Sequence, residues 1–365
     1  MHTLHLRLMA VCYFAVVLST VGTIPTVQPL LAQDGAGKKQ TTQAGASADV
    51  AVETVGGGRL IDVQRIWDAS KHNAFTDLIR FNDEWFCVFR EATQHVSGDG
   101  ALRVIRSSDA KTWTSAALIT SDVADLRDAK ITVTPDRQLM LSGAAAMHDT
   151  SQYKHQSMSW FSADGETWSE PVLVGQRDNW LWRVTWHEGQ AYGVGYSTNH
   201  AKDRLARLFR SPDGKKFEVL VEELFDQGYP NETSLVFTED KTCHCLLRRD
   251  ADSRTGMFGT SQPPYTDWSW QDLGIHVGGP QMIQLPDGRL LAAVRLVDGH
   301  TRTSLCWIEP EGAKITEFLE LPSGGDTSYA GMVWHADRLW VSYYSGHEAN
   351  DNFTTAIYLA EVELD

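Results

Sequence analysis

Six times between residues 77 and 345 an apolar, strand-like run, a polar turn and a second apolar run follow one another. The turns are Asn82-Asp83, Pro135-Asp136, His187-Glu188-Gly189, Glu239-Asp240, Pro286-Asp287-Gly288 and His335-Ala336-Asp337. They recur roughly every 50 residues, the length of one four-stranded blade. A single unit of this kind cannot bury both of its faces, so the six must stack on one another into one closed body. The spacing therefore predicts an all-β chain folded as a six-bladed β-propeller. It also predicts which loops gather at one mouth.

A second hairpin follows the first in each unit. Its clearest forms are Ser107-Ser108-Asp109-Ala110-Lys111-Thr112-Trp113 and Ser162-Ala163-Asp164-Gly165-Glu166-Thr167-Trp168, with a weaker copy at Ser211 to Phe217. Ser and Asp side chains suit such turns because they accept bonds from nearby backbone N–H groups, while the aromatic packs outward. The last unit stops one strand short, after Thr355 to Leu364, and a spare strand-like run, Leu60 to Trp67, precedes the first. Pairing the two would complete the sixth blade and cover both open edges.

The ends of the chain read differently. Residues 1–32 hold no Asp or Glu, one Arg at position 7 and an apolar stretch from Leu8 to Val21. This is the pattern of a secretory leader with cleavage near Ala32, or of a retained anchor if cleavage fails. Residues 33–58 are Gly-, Ala-, Ser-, Thr- and Gln-rich and read as a flexible tether, leaving 59–365 for the propeller. A secreted or periplasmic protein is expected. The net charge of −15 argues against nucleic acid or an anionic membrane surface as partner. Cys87, Cys243, Cys245 and Cys306 lie in apolar strands and are expected to be buried thiols. No cofactor or metal is expected, since no Walker loop, Rossmann fingerprint or zincin helix occurs. A monomer is expected.

Two sets of loops should open on one face. One set leads into the innermost strands: His72–Asp77, Asp125–Lys130, Asp178–Arg183, Tyr229–Ser234, Val277–Gln281 and Gly324–Gly331. The other joins strands two and three, as in Arg90–Gly100, Arg248–Gly256 and Ser342–Asn352. Both are rich in Arg, His and acidic residues. Trp180 and Trp182 flank Leu181, so they either stack on a sugar face or pack in the core.

The Ser-x-Asp turns resemble the Asp boxes of the sialidase superfamily, each one residue shorter than the usual form. Further residues carry the resemblance. Glu232 opens the fourth blade and Arg248 closes the same hairpin, Arg295 holds the matching place in the fifth, and Tyr329 enters the sixth. In sialidases a Glu activates a Tyr nucleophile and arginines clamp the substrate carboxylate. The resemblance thus implies Tyr329 as nucleophile, Glu232 as its base, and Arg248 and Arg295 as clamp. A neutral phenol suits an anionic sugar because it does not repel it, but with a pKa near 10 it needs a base. Arg forks grip a carboxylate in two places.

The chain also departs from the family. Blade one begins His72-Asn73-Ala74-Phe75-Thr76-Asp77, where sialidases have Arg-Ile-Pro. Arg127 could supply the missing cation, or be tied to Asp125 and Asp128 beside it. Asp99 and His95 in the first blade's loop are both candidates for the acid/base. Arg90, Asp128 and Trp182 complete the candidate substrate contacts. Three readings stay open: a sialidase-like glycoside hydrolase acting on an acidic or sulfated sugar, a glycan-binding propeller without turnover, and a uronate lyase using Tyr and His.

Overall fold

The computed structural model describes residues 56–199, 204–349, 351 and 354–365. The expected leader and most of the expected tether lie outside these residues. Six antiparallel four-stranded sheets stand around an axis. Their innermost strands are His72–Phe81, Ala124–Val133, Asn179–His187, Pro230–Phe237, Gly278–Gln284 and Thr327–His335. Each is followed by its hairpin partner at the turns read from the sequence. Asn82, Asp83, Glu188, Ala336 and Asp337 take left-handed backbone there, as two-residue turns demand.

Apolar residues of neighbouring blades interlock. Phe86, Val88, Leu102 and Val104 of blade one pack on Leu126, Leu139, Leu141 and Trp160 of blade two. Each such side chain, taken from water, stabilises by about 1.5–3 kcal/mol. The outer turns work as their composition implies. Asp109 Oδ1 accepts from the Lys111 and Thr112 N–H groups at 2.8 Å each, and Asp164 and Asp213 repeat the pattern. Trp113 and Trp168 each close their turn with an indole N–H to the carbonyl three residues back. The four cysteines in the propeller are buried and free.

The ring closes with residues from both ends. The strand Gly58–Trp67 pairs antiparallel with Ala356–Leu364, from Gly58 opposite Leu364 to Trp67 opposite Ile357. Pairing begins one residue inside the expected tether. Among the described residues no helix is long and apolar enough to cross a membrane.

One feature differs from expectation. The segments read as entry loops are mostly strand, and each carries a bulge at the matching place, two residues opposing one. The bulged pairs are Phe75-Thr76, Asp128-Ala129, Trp182-Arg183, Asn231-Glu232, Gly279-Pro280 and Tyr329-Ala330. Phe75, Asp128, Gly279 and Tyr329 sit at positive φ, between 49° and 65°. Ladder pairing resumes on both sides of the extra residue, so the strand continues while the side chain is turned aside. Six bulges at one level thus gather side chains from all six blades around the axis.

Candidate active site

Tyr329 stands at the centre of this ring. Its hydroxyl donates to Glu232 Oε1 at 2.5 Å, and Arg248 Nη1 donates both to Glu232 Oε2 at 2.8 Å and to the Tyr329 oxygen at 2.9 Å. The Gly279 N–H, from the bulge of blade five, donates to Glu232 Oε2 at 3.0 Å. Phe75 and Trp182 meet the Tyr329 ring edge to face, with centroids 5.1 and 5.8 Å away. A Cβ at Gly279 would stand only 3.0 Å from ring atoms of Tyr329, so that position must stay bare. Thr76 Oγ1 and Arg183 Nη2 bond the carbonyls of Tyr329 and Ala330, fixing the bulge that aims the phenol.

Burial raises the Tyr329 pKa and the Glu232 charge adds to this, while Arg248 and Arg295 oppose both. The phenol is therefore held neutral, with its proton directed at Glu232. Arg248 is fixed on its far side by Asp250, whose Oδ1 accepts from Nε at 2.9 Å. The guanidinium of Arg295 lies 5.4 Å from the Tyr329 ring centroid, and its Nη1 donates to the Thr327 carbonyl at 3.3 Å. Two cations thus border one neutral nucleophile-type group, an arrangement that favours an anion bound above it.

Among solved structures, a protein of unknown function from Dyadobacter fermentans superposes with a TM-score of 0.75 at 17% identity, covering 85% of this chain and all of that one. An α-L-arabinanase of Penicillium chrysogenum, complexed with arabinobiose, superposes with a TM-score of 0.63 at 13% identity, over 83% of this chain and 98% of the other. A mutant Trypanosoma rangeli sialidase displaying trans-sialidase activity gives 0.63 at 11% identity, over 83% of this chain and 59% of the longer sialidase. The likeness shows a six-bladed β-propeller fold shared with these proteins. No family model and no curated relative matches the sequence.

The other candidates fall into distinct places. Asp99 is exposed, and its carboxylate accepts from the Thr93 N–H, Thr93 Oγ1 and Ser97 Oγ, which stitches the first-blade loop together. Burial raises its pKa, but the bonds from Ser97 and Thr93 together outweigh it and hold the pKa below the ordinary range. Arg90 is fully buried and spends its donors on Asp125 Oδ1, the Gln94 carbonyl and Ser97. Arg127 is tied through Nε to Asp125 Oδ2. Of the two positions open to Arg127, the structure places it beside its own aspartate. Asp128, the bulge residue of blade two, is half-buried, and among the described residues no hydrogen bond or ion pair engages its carboxyl. Trp180 packs on His155 and lies with Trp182 in one buried apolar cluster.

The sequence reading gave no role to His72, Asp326 or Lys130. His72, at the place of the family arginine, gives a buried ring whose Nε2 meets Asp326 Oδ2 at 3.0 Å. His95 Nδ1 meets the same oxygen at 2.6 Å, and the Tyr344 hydroxyl donates to Asp326 Oδ1 at 2.7 Å. Against burial, which raises it, these bonds hold the Asp326 pKa well below the carboxylate range. His72, His95 and Asp326 bring ligand-type atoms within 4.8 Å of one another and are the trio that could hold a metal ion. His72 Nδ1 is buried without a partner, so it lacks the second bond that usually fixes a ligand ring. Lys130 lies beneath the ring, its Nζ 5.1 Å from the Trp182 centroid and 3.1 Å from the Ala129 carbonyl. Burial, with Arg183 adding, lowers its pKa to about 8. The signal for both sets was their polarity inside apolar runs, but their partners lie tens to hundreds of residues away.

Proposed function

We propose that this protein is a glycoside hydrolase acting on an acidic sugar. Tyr329 attacks the anomeric carbon, Glu232 accepts the phenol proton, and Arg248 with Arg295 receives the sugar's carboxylate or sulfate. The observation that carries the reading is the Tyr329–Glu232 bond of 2.5 Å with Arg248 donating to both groups. A buried tyrosine has no structural need for a carboxylate and a guanidinium on its hydroxyl, since one neutral partner satisfies it. The propeller neighbours that are named as sialidases and arabinanases support a carbohydrate substrate. His72 in place of the family arginine supports a sugar other than sialic acid, since a third fork for the carboxylate is absent from that position. The leader-like residues 1–32 fit an extracellular glycan.

The test is a release screen of the full chain against sialosides, uronic-acid oligosaccharides and sulfated glycans, with products weighed by mass spectrometry. Release of an acidic monosaccharide is expected, abolished in Tyr329→Phe and Glu232→Gln while binding persists. Wild-type rates in both variants would refute the roles. The pairing of His72 and His95 on Asp326, with Tyr344 6.1 Å from the Tyr329 ring, favours a second reading in which Tyr and His carry a β-elimination on a uronate. An unsaturated product absorbing in the ultraviolet would select it over hydrolysis. Binding with neither product would leave a glycan-binding propeller.

A further inference from the structure

We propose, resting on the hydrolase reading above, that Asp128 is the proton donor to the departing sugar, in place of the first-blade residues Asp99 and His95. Two acidic residues and the phenol sit in bulges on alternating blades: Asp128 in blade two, Glu232 in blade four and Tyr329 in blade six. Blades one, three and five contribute Phe75, Trp182 and Gly279 at the same height. Of these, Phe75 and Trp182 pack edge to face on the Tyr329 ring. The charges of Glu232 and Asp128 act on each other, and both act on the half-buried Tyr196 phenol, as do Tyr329 and Arg248.

Availability separates Asp128 from every other carboxylate nearby. Asp125 is held by Arg90 and Arg127, Asp326 by two histidines and Tyr344, and Asp99 by Thr93 and Ser97. Asp250 is held by Arg248 and Asn231, and Asp77 by Arg183 and the Ile131 N–H. A carboxylate stabilised by several donors is a poor acid. Asp128, with none among the described residues, has its proton to give. Its left-handed backbone, φ 56°, turns the side chain out of the ladder, a conformation that Asp tolerates better than most residues. Burial raises its pKa to about 6, with the like charge of Glu232 adding, while Lys130, Arg127 and Arg90 oppose the rise. That is the range in which a carboxyl can be acid in one step and base in the next.

The chemistry balances with no further reactant than water. As the Tyr329 oxygen bonds to the anomeric carbon, the glycosidic C–O bond breaks, its electron pair leaves with the oxygen, and Asp128 supplies that oxygen's proton. Glu232 meanwhile takes the phenol proton. In the second half, the Asp128 carboxylate removes a proton from water as the water oxygen bonds to the anomeric carbon. Tyr329 departs and recovers its proton from Glu232.

The experiment compares Asp128→Asn and His95→Gln with wild type on one acidic glycoside carrying either a sugar or a 4-nitrophenol leaving group. Asp128→Asn is expected to lower kcat/KM about 10²–10⁴-fold on the sugar leaving group, to spare the nitrophenol far more, and to lose the alkaline limb near pH 6. Asp128→Ala, which opens space, should yield a glycosyl azide of retained configuration when azide is added. An unchanged leaving-group dependence in Asp128→Asn, or the whole pattern appearing in His95→Gln instead, would overturn the assignment alone. No turnover of any acidic glycoside by wild type would overturn the hydrolase reading and this inference with it.

Discussion

Replacing Asp128 by Asn removes one carboxylate charge at nearly constant shape, so its effect on stability can be worked out before any substrate is known. The folded chain raises this group from an ordinary 3.8 to about 6, mainly by burial. Protonation therefore favours folding, and the sign follows directly. Below 3.8 the group is neutral in both states and costs nothing. Above 6 it is charged in both, and the folded state bears the full penalty of roughly 3 kcal/mol. The penalty is about 1 kcal/mol at pH 4.5 and close to its full size at pH 8. Asparagine carries no such charge at either pH, so the variant's stability relative to wild type should grow by about 2 kcal/mol between them. With an unfolding entropy of about 2.1 cal/mol/K per residue, that growth widens the gap in Tm by about 3 °C. Scanning fluorimetry or calorimetry of the two proteins at both pH values reads it. Only the change in the gap is used, so any fixed cost of the amide cancels. A gap that stays constant, or narrows as pH rises, would show that the carboxyl is solvated or paired and would remove the basis for its role as acid.

Gly279→Ala should cost about 1–2 kcal/mol, because its φ of 53° is left-handed and its Cβ would press on the Tyr329 ring; turnover should fall at least tenfold with it, and unchanged kinetics would show that the ring has room. Arg90→Met leaves Asp125 buried with only Arg127 beside it and should destabilise by about 3–5 kcal/mol in denaturant titrations, since breaking a buried pair strands its partner. A cost below about 1 kcal/mol would mean that water reaches Asp125. Arg248→Lys should weaken anionic ligands and slow turnover together, because one ammonium cannot reproduce the bonds that Arg248 makes to Glu232, Tyr329 and Asp250; a change in KM alone would limit Arg248 to ligand binding.

What the sequence conveys here is what neighbouring residues decide. Turn chemistry at Asn82-Asp83 and Pro286-Asp287-Gly288 and the run from Leu60 to Trp67 are local, and they suffice for blade number and closure. The bulges are not local. Whether Asp128-Ala129 bulges is settled by the register against Ala144 and Ser142, and nothing within the Asp125–Lys130 segment marks it. The site divides in the same way. Tyr329, Glu232 and Arg248 were found through their places within blades and by resemblance. The commitment of Arg90 to Asp125, 35 residues on, and of His72 to Asp326, 254 residues on, decides which groups are already engaged. Asp99 could not be told from His95 as the acid/base in the sequence, because its partners Thr93 and Ser97 are ordinary loop residues.

The shared sixth blade sets a timetable for synthesis. Residues 58–67 leave the ribosome first among the propeller strands, yet their partner, 356–364, comes last. At about 5–20 residues per second the early strand waits some tens of seconds with its hydrogen-bonding edge bare. Blades one to five can form in turn, but the ring cannot close until residues 356–364 have emerged, and until then both raw edges are open to other chains. The same arrangement leaves Gly58 and Leu364 side by side. A short peptide joining them, with new ends cut into a turn such as Pro286-Asp287-Gly288, would give a permuted chain whose closing strands are made in immediate succession.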